Sequence, residues 1–112
     1  MIVLANDGIS QNSKKELIDL NFKIFDTKID QSELIRYINK NLIEIILVRS
    51  ATIINSEILN NCKSIKLIGR AGVGLDNIDL ISAKKNNVRV FNTPNASSIS
   101  VAELVISHLL SA

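Results

Sequence analysis

The chain has 112 residues, 46% of them hydrophobic, with 13 Lys and Arg against 11 Asp and Glu for a net charge of +2. That length suits one domain with one core, burying roughly two-thirds of its extended-chain surface, and the charge points neither to nucleic acid as a partner nor to an acidic disordered tail. One cysteine, Cys62, excludes an internal disulfide and a cysteine-cluster metal site and fits a reducing compartment.

No stretch reaches the roughly 18 apolar residues of a membrane span, since Ile43 to Val48 is broken by Glu44 and closed by Arg49. Met1 to Ala5 lacks the basic lead-in of a secretory signal. A soluble, cytoplasmic protein is expected, without a membrane, nucleic-acid or metal partner.

Short apolar runs alternate with amphipathic stretches, the pattern of parallel strands covered on both faces by crossover helices. The first strand is Met1 to Ala5, closed by Asn6-Asp7-Gly8, and a helix follows from about Ser10 to Leu20. Phe22 to Phe25 is a short second strand. Asp30 and Glu33 have the spacing of a capping box for a helix whose apolar positions Leu34, Ile35, Ile38 and Leu42 share a face. Glu44 to Val48 is the third strand.

Asn55 caps a short helix to Asn61, and Lys66 to Ile68 is the fourth strand. The segment Gly69 to Gly74 then holds three of the four glycines and is expected to be a loop. Asp79 caps a helix to about Asn87, Val88 to Phe91 is the fifth strand, Asn92 to Asn95 is a turn, and Ser100 opens the last helix. Right-handed crossovers give an α/β fold, an open doubly wound parallel sheet in the order 2-1-3-4-5.

Ligands of such sheets lie at the carboxyl ends of the strands. Arg49 and Arg70 stand there, and a planar guanidinium can hold a carboxylate or phosphate through paired hydrogen bonds. The alternative is that they are ordinary exposed arginines, or that one pairs with Asp7 or Asp76. Gly69 to Gly74 reads G-x-x-G-x-G, which has neither the spacing of a dinucleotide fingerprint nor the ending of a phosphate-cradling loop. Free N–H groups at Gly72, Val73 and Gly74 could instead cup a carboxylate, or the glycines could serve chain reversal alone. His108 lies on the apolar stripe of the last helix, where packing is favoured over proton transfer. Cys62 is read as structural, and Ser97, Ser98 and Ser100 as loop and helix cap. A phosphoacceptor magnesium site is set aside because the third strand ends in Arg49 and only Asp7 follows the first.

The run Leu67 to Asp79, with Val90 to Asn95, Ser100 to Leu104 and, upstream, Leu47 to Thr52, closely resembles the D-isomer-specific 2-hydroxyacid dehydrogenases. The resemblance covers essentially the whole chain and is strongest to members acting on 3-phosphoglycerate. It implies a flavodoxin-like substrate-binding domain over residues 1–99, with 100–112 starting an interdomain hinge helix. It implies that Arg49, Ser50 and Arg70 meet the phosphorylated acid, that the backbone of Ala71, Gly72, Val73 and Gly74 meets its carboxylate, and that Val73 also touches the cofactor. Asn95 and Glu103 fall in blocks beside the interdomain cleft, with no catalytic role implied. Family members carry a G-x-G-x-x-G nucleotide domain with catalytic Arg, Glu and His, and His108 does not match that histidine. The expectations are therefore an NAD-dependent parent enzyme, a small anionic 2-hydroxy acid as partner, a homo-oligomer, and a 112-residue chain that is inactive alone and binds NAD weakly. In isolation the last helix is expected to expose Val101, Leu104 and Leu109 and drive self-association. The alternatives are a non-catalytic anion-binding or interaction module on the same fold, or the same domain from a relative with another substrate.

Overall fold

A computed structural model describes residues 1–72, 74–93 and 100–110. Its five strands, β1 (Ile2–Ala5), β2 (Lys23–Phe25), β3 (Ile45–Val48), β4 (Leu67–Ala71) and β5 (Arg89–Thr93), form one parallel sheet in the order β2-β1-β3-β4-β5, as the sequence predicts. The helices are α1 (Gln11–Asp19), α2 (Leu34–Asn41), α3 (Ser56–Asn61), α4 (Leu80–Lys85) and α5 (Val101–Leu110).

Alternation along the strands divides the core between the two faces of the sheet. Val3, Ala5, Ile45, Leu47, Leu67 and Phe91 pack with Leu17 of α1 and Ala102 and Val105 of α5. Leu4, Ile46, Val48 and Ile68 pack on the other face with Leu34 and Ile38 of α2, Ile58 and Leu59 of α3 and Ala83 of α4. Central β3 is buried at all four residues, as a strand covered on both faces must be.

Local chemistry sets the helix starts. The side chains of Ser10, Asn55 and Asp79 accept from the backbone N–H groups of Ser13, Ile58 and Ser82, at 3.1, 3.0 and 3.0 Å. Ser100 does the same for Glu103 at 3.2 Å, and its hydroxyl also donates to Glu16 of α1 at 2.9 Å, fixing the start of α5. The expected capping box at Asp30 and Glu33 does not form. A 3-10 turn over Gln31–Glu33 lets the Asp30 carbonyl take the Glu33 N–H at 2.8 Å, leaving no capping bond for the Asp30 carboxylate. Leu42, expected on the buried stripe of α2, instead ends that helix in a left-handed conformation (φ 52°) and is exposed, and the next residue, Ile43, is fully buried in its place.

Where the sequence predicts a loop from Gly69 to Gly74, β4 instead runs through Gly69, Arg70 and Ala71, paired with Phe91, Asn92 and Thr93 of β5. Gly69 sits in a strand because of its neighbour. A Cβ there would lie 2.6 Å from the Phe91 ring and 2.9 Å from Leu47. The same pairing makes Asn92 and Thr93 strand residues, where a turn was expected.

Val101, Leu104 and Leu109, expected to be exposed, are partly buried against the core between α5 and the sheet. Leu110 is the apolar residue that α5 exposes, at 81%. No helix among the described residues is long and apolar enough to cross a membrane.

Candidate functional site

The carboxyl ends of β1, β3 and β4 are tied together by buried polar side chains. Asn6, 2% exposed, accepts the Ile29 N–H at 2.8 Å and donates to the Ile29 carbonyl at 3.2 Å and to Thr52 Oγ1 at 2.9 Å. Asp7 follows, its carboxylate only 4% exposed. One oxygen accepts from Lys28 Nζ and from Thr52 Oγ1, both at 2.6 Å, and the other accepts the N–H groups of Arg49 and Thr52 at 2.8 and 3.1 Å. Burial alone would raise its pKa, but Lys28, Thr52 and the two N–H groups outweigh this and hold it down at about 2, from an ordinary 3.8. At neutral pH Asp7 is therefore an anion, and its oxygens hold the chain after β3. Among the described residues no group of three His, Cys, Asp or Glu could hold a metal ion.

Arg49 and Arg70 are brought together by the register, which sets Val48 opposite Arg70 in neighbouring strands. Neither of the suggested ion pairs forms. Asp7 takes the backbone N–H of Arg49, leaving that exposed guanidinium without a hydrogen bond among the described residues. Arg70 donates from Nε to Asn77 Oδ1 at 2.6 Å and from Nη1 to the Gly74 carbonyl at 2.9 Å, and Asp76 receives neither bond. The Asn77 amide also donates to the carbonyls of Arg49 and Thr52, each at 2.7 Å.

Between these arginines and the start of α1 lies a pocket of about 110 Å³, lined among others by Gly8, Ser10, Arg49, Arg70, Ala71 and Phe91. Ala71 is exposed within this lining, whereas Ser50, also exposed, does not line the pocket. Gly72 and Gly74 have positive φ, 112° and 142°, so the chain bends sharply after β4. Val73 and Asn95 lie outside the described residues. Glu103, exposed on the first turn of α5, does not line this pocket.

His108 lies elsewhere. Its ring stacks on Phe91, centroids 4.7 Å apart and planes 15° from parallel, beside a surface cleft with Lys66 and Arg89 at the starts of β4 and β5. The packing role expected for it fits this place. Sequence reasoning missed Lys28, Thr52 and Asn77. Thr52 and Asn77 fall inside the recognised motif blocks, but only tertiary contacts reveal what they do.

Residues 2–108 match the family model of the D-isomer specific 2-hydroxyacid dehydrogenase catalytic domain. The chain belongs to this family. It is 36% identical over 109 residues to a hydroxypyruvate reductase of Thermotoga maritima, covering 96% of this chain and 35% of that protein. It is 38% identical to a D-3-phosphoglycerate dehydrogenase of Archaeoglobus fulgidus, covering 100% of this chain and 21% of that one. Among solved structures, NAD+-bound 3-phosphoglycerate dehydrogenase of Entamoeba histolytica superposes with a TM-score of 0.68 at 29% identity, over 96% of this chain and 37% of that one. The chain thus spans between about a fifth and about a third of the length of these curated relatives.

The described glycines after β4, Gly72 and Gly74, do not open directly into a helix. A pyrophosphate needs a helix N-terminus directly after a glycine turn. Here α4 begins only at Leu80, and the Asp79 carboxylate already occupies its first turn through the Ser82 N–H.

Proposed function

We propose that this domain is the substrate-binding part of an NAD-dependent D-2-hydroxyacid dehydrogenase acting on 3-phosphoglycerate, with the nucleotide held by residues outside these 112. The observation that carries the reading is the Arg49 and Arg70 pair at the carboxyl edge of the sheet. Arg70 has two of its five N–H groups committed to Asn77 and Gly74, so three are left for an anion, and the Arg49 guanidinium has no bond within the described residues. Two uncompensated cations beside a pocket suit a doubly anionic acid, with one group for its carboxylate and one for its phosphate.

In this reading Arg49, Ser50 and Arg70 meet the acid, Ala71, Gly72 and Gly74 bring backbone close to its carboxylate, and Val73 is assigned the cofactor contact. The domain orients the acid and excludes water from one face, while NAD, when bound, supplies the hydride acceptor. His108, stacked on Phe91 beside the cleft at Lys66 and Arg89, is given no part in proton transfer in this reading. The Thermotoga relative supports a second reading in which the same pocket takes an unphosphorylated acid.

Isothermal titration separates these. The 112-residue chain is expected to bind 3-phosphoglycerate weakly, to lose about tenfold or more in affinity on Arg49→Ala or Arg70→Ala, as for a charged hydrogen bond, and to bind NAD negligibly. Tighter binding of hydroxypyruvate than of 3-phosphoglycerate would favour the second reading. Absence of binding to every 2-hydroxy or 2-oxo acid tested would leave only a non-catalytic module on this fold.

A further inference from the structure

We infer that Asn77 is the positioning residue of this anion site, fixing how Arg70 presents its charge and where Arg49 leaves the sheet. The inference rests on the proposed substrate role of the two arginines and adds to it the residue that aims them.

The side chain of Asn77 is used at both ends. Its oxygen takes the Nε–H of Arg70 at 2.6 Å, and its NH2 group reaches the carbonyls of Arg49 and Thr52 at 2.7 Å each. The donors and acceptors fix the orientation of the amide, because only the oxygen can face Nε–H and only the nitrogen can face two carbonyls. With Nε occupied, the side-on edge of the Arg70 guanidinium can no longer bind bidentately, and with one Nη1 hydrogen also used, the second Nη1 hydrogen and both Nη2 hydrogens are left to meet a ligand. The backbone of Arg49 is held from both sides, its N–H by Asp7 at 2.8 Å and its carbonyl by Asn77. One side chain therefore couples the end of β3 to the end of β4.

Chemistry explains why this is an amide. Aspartate could accept from Nε but could not donate to the two carbonyls, and its charge would neutralise Arg70 where the site needs an uncompensated cation. Alanine would free the guanidinium to rotate and leave two carbonyls without their donor. Asn77 holds Arg70 without discharging it.

The test combines titration of 3-phosphoglycerate with proton–nitrogen spectra of the arginine Nε–H groups in the 112-residue chain. In the unsubstituted protein the Arg70 Nε–H signal is expected to exchange slowly with water and that of Arg49 rapidly. Asn77→Ala should speed exchange at Arg70 and weaken 3-phosphoglycerate binding about tenfold, as for loss of a hydrogen bond held to a charged group. Asn77→Asp should weaken binding at least as much although it keeps an acceptor for Nε. In an Arg70→Lys background, which lacks the Nε–H, Asn77→Ala should cost much less affinity than it does beside arginine. A merely structural asparagine would lower the melting temperature without these effects. Unchanged affinity in a folded Asn77→Ala protein overturns this inference and leaves the function standing. Absence of 3-phosphoglycerate binding before any substitution overturns the function, and the exchange at Arg70 still decides the positioning. If Asn77→Ala fails to fold, fast exchange at Arg70 in the unsubstituted protein overturns the inference and slow exchange with weakened binding in Asn77→Asp supports it.

Discussion

Gly69 of β4 and Phe91 of β5 are register partners packed so closely that a methyl group on Gly69 would sit 2.6 Å from the aromatic ring. The ring has little room to retreat, because His108 of α5 stacks on it at 4.7 Å. Gly69→Ala must therefore shift either Phe91 or the helix behind it. Overpacking of this kind costs about 1–3 kcal/mol, read as a lower urea midpoint with an unchanged slope. Phe91→Leu in the Gly69→Ala background should recover part of that loss by removing the clashing ring atoms. A Gly69→Ala chain as stable as its parent would show that the contact relaxes freely.

The same pair marks the limit of what the sequence discloses. Caps at Asn55 and Asp79 were legible because they depend on residues three positions away, and the sheet order followed from five repeats and the handedness of crossovers. Arg49 is legible because it directly follows the apolar run of β3, whereas the sequence ends β4 three residues early and so puts Arg70 in a loop. Gly69 was misplaced in a loop because the reason for it is a ring 22 residues later in the chain. Asn77 was invisible for the same reason, since its carbonyl partners lie 28 and 25 residues away and a neutral amide in a turn carries no local signal.

Cys62 is 1% exposed at the end of α3, and burial pushes its thiol up to about 11. At about pH 8 only on the order of one thiol in a thousand is then ionised, and the thiolate is the reactive form. The folded protein should be nearly inert to a disulfide reagent for as long as it stays folded, and should release one equivalent of product in concentrated guanidinium. A fast stoichiometric reaction under native conditions would mean that α3 opens readily.

Asp7 gives the fold a dependence on acid. Its carboxyl titrates at about 2 when folded and near 3.8 when unfolded, so its contribution to stability is complete above the higher value and lost as pH falls through the lower. The difference corresponds to about 2 kcal/mol. Asp7→Asn should be less stable than the parent at neutral pH, and its stability should fall less between about pH 5 and pH 2, by roughly that amount. Equal pH slopes in urea titrations of the two proteins would assign the acid sensitivity to other carboxylates.

Thr52 tests whether this network behaves as a unit. The residue is 1% exposed; its hydroxyl donates to Asp7 at 2.6 Å and accepts from Asn6 at 2.9 Å and Lys28 at 3.3 Å. Thr52→Val keeps the shape and removes the oxygen, so a buried amide hydrogen of Asn6 loses its acceptor and the Asp7 carboxylate loses a donor. Leaving such groups unmatched costs about 1–3 kcal/mol, more than an exposed Thr→Val change would. The Asp7 pKa should rise with it, because one of the bonds that lowers it is gone. In the Asp7→Asn background the penalty of Thr52→Val should shrink, since the carboxylate that made the hydroxyl necessary is absent. Additive losses in the double variant would show that Thr52 acts on Asn6 alone, independently of the Asp7 carboxylate.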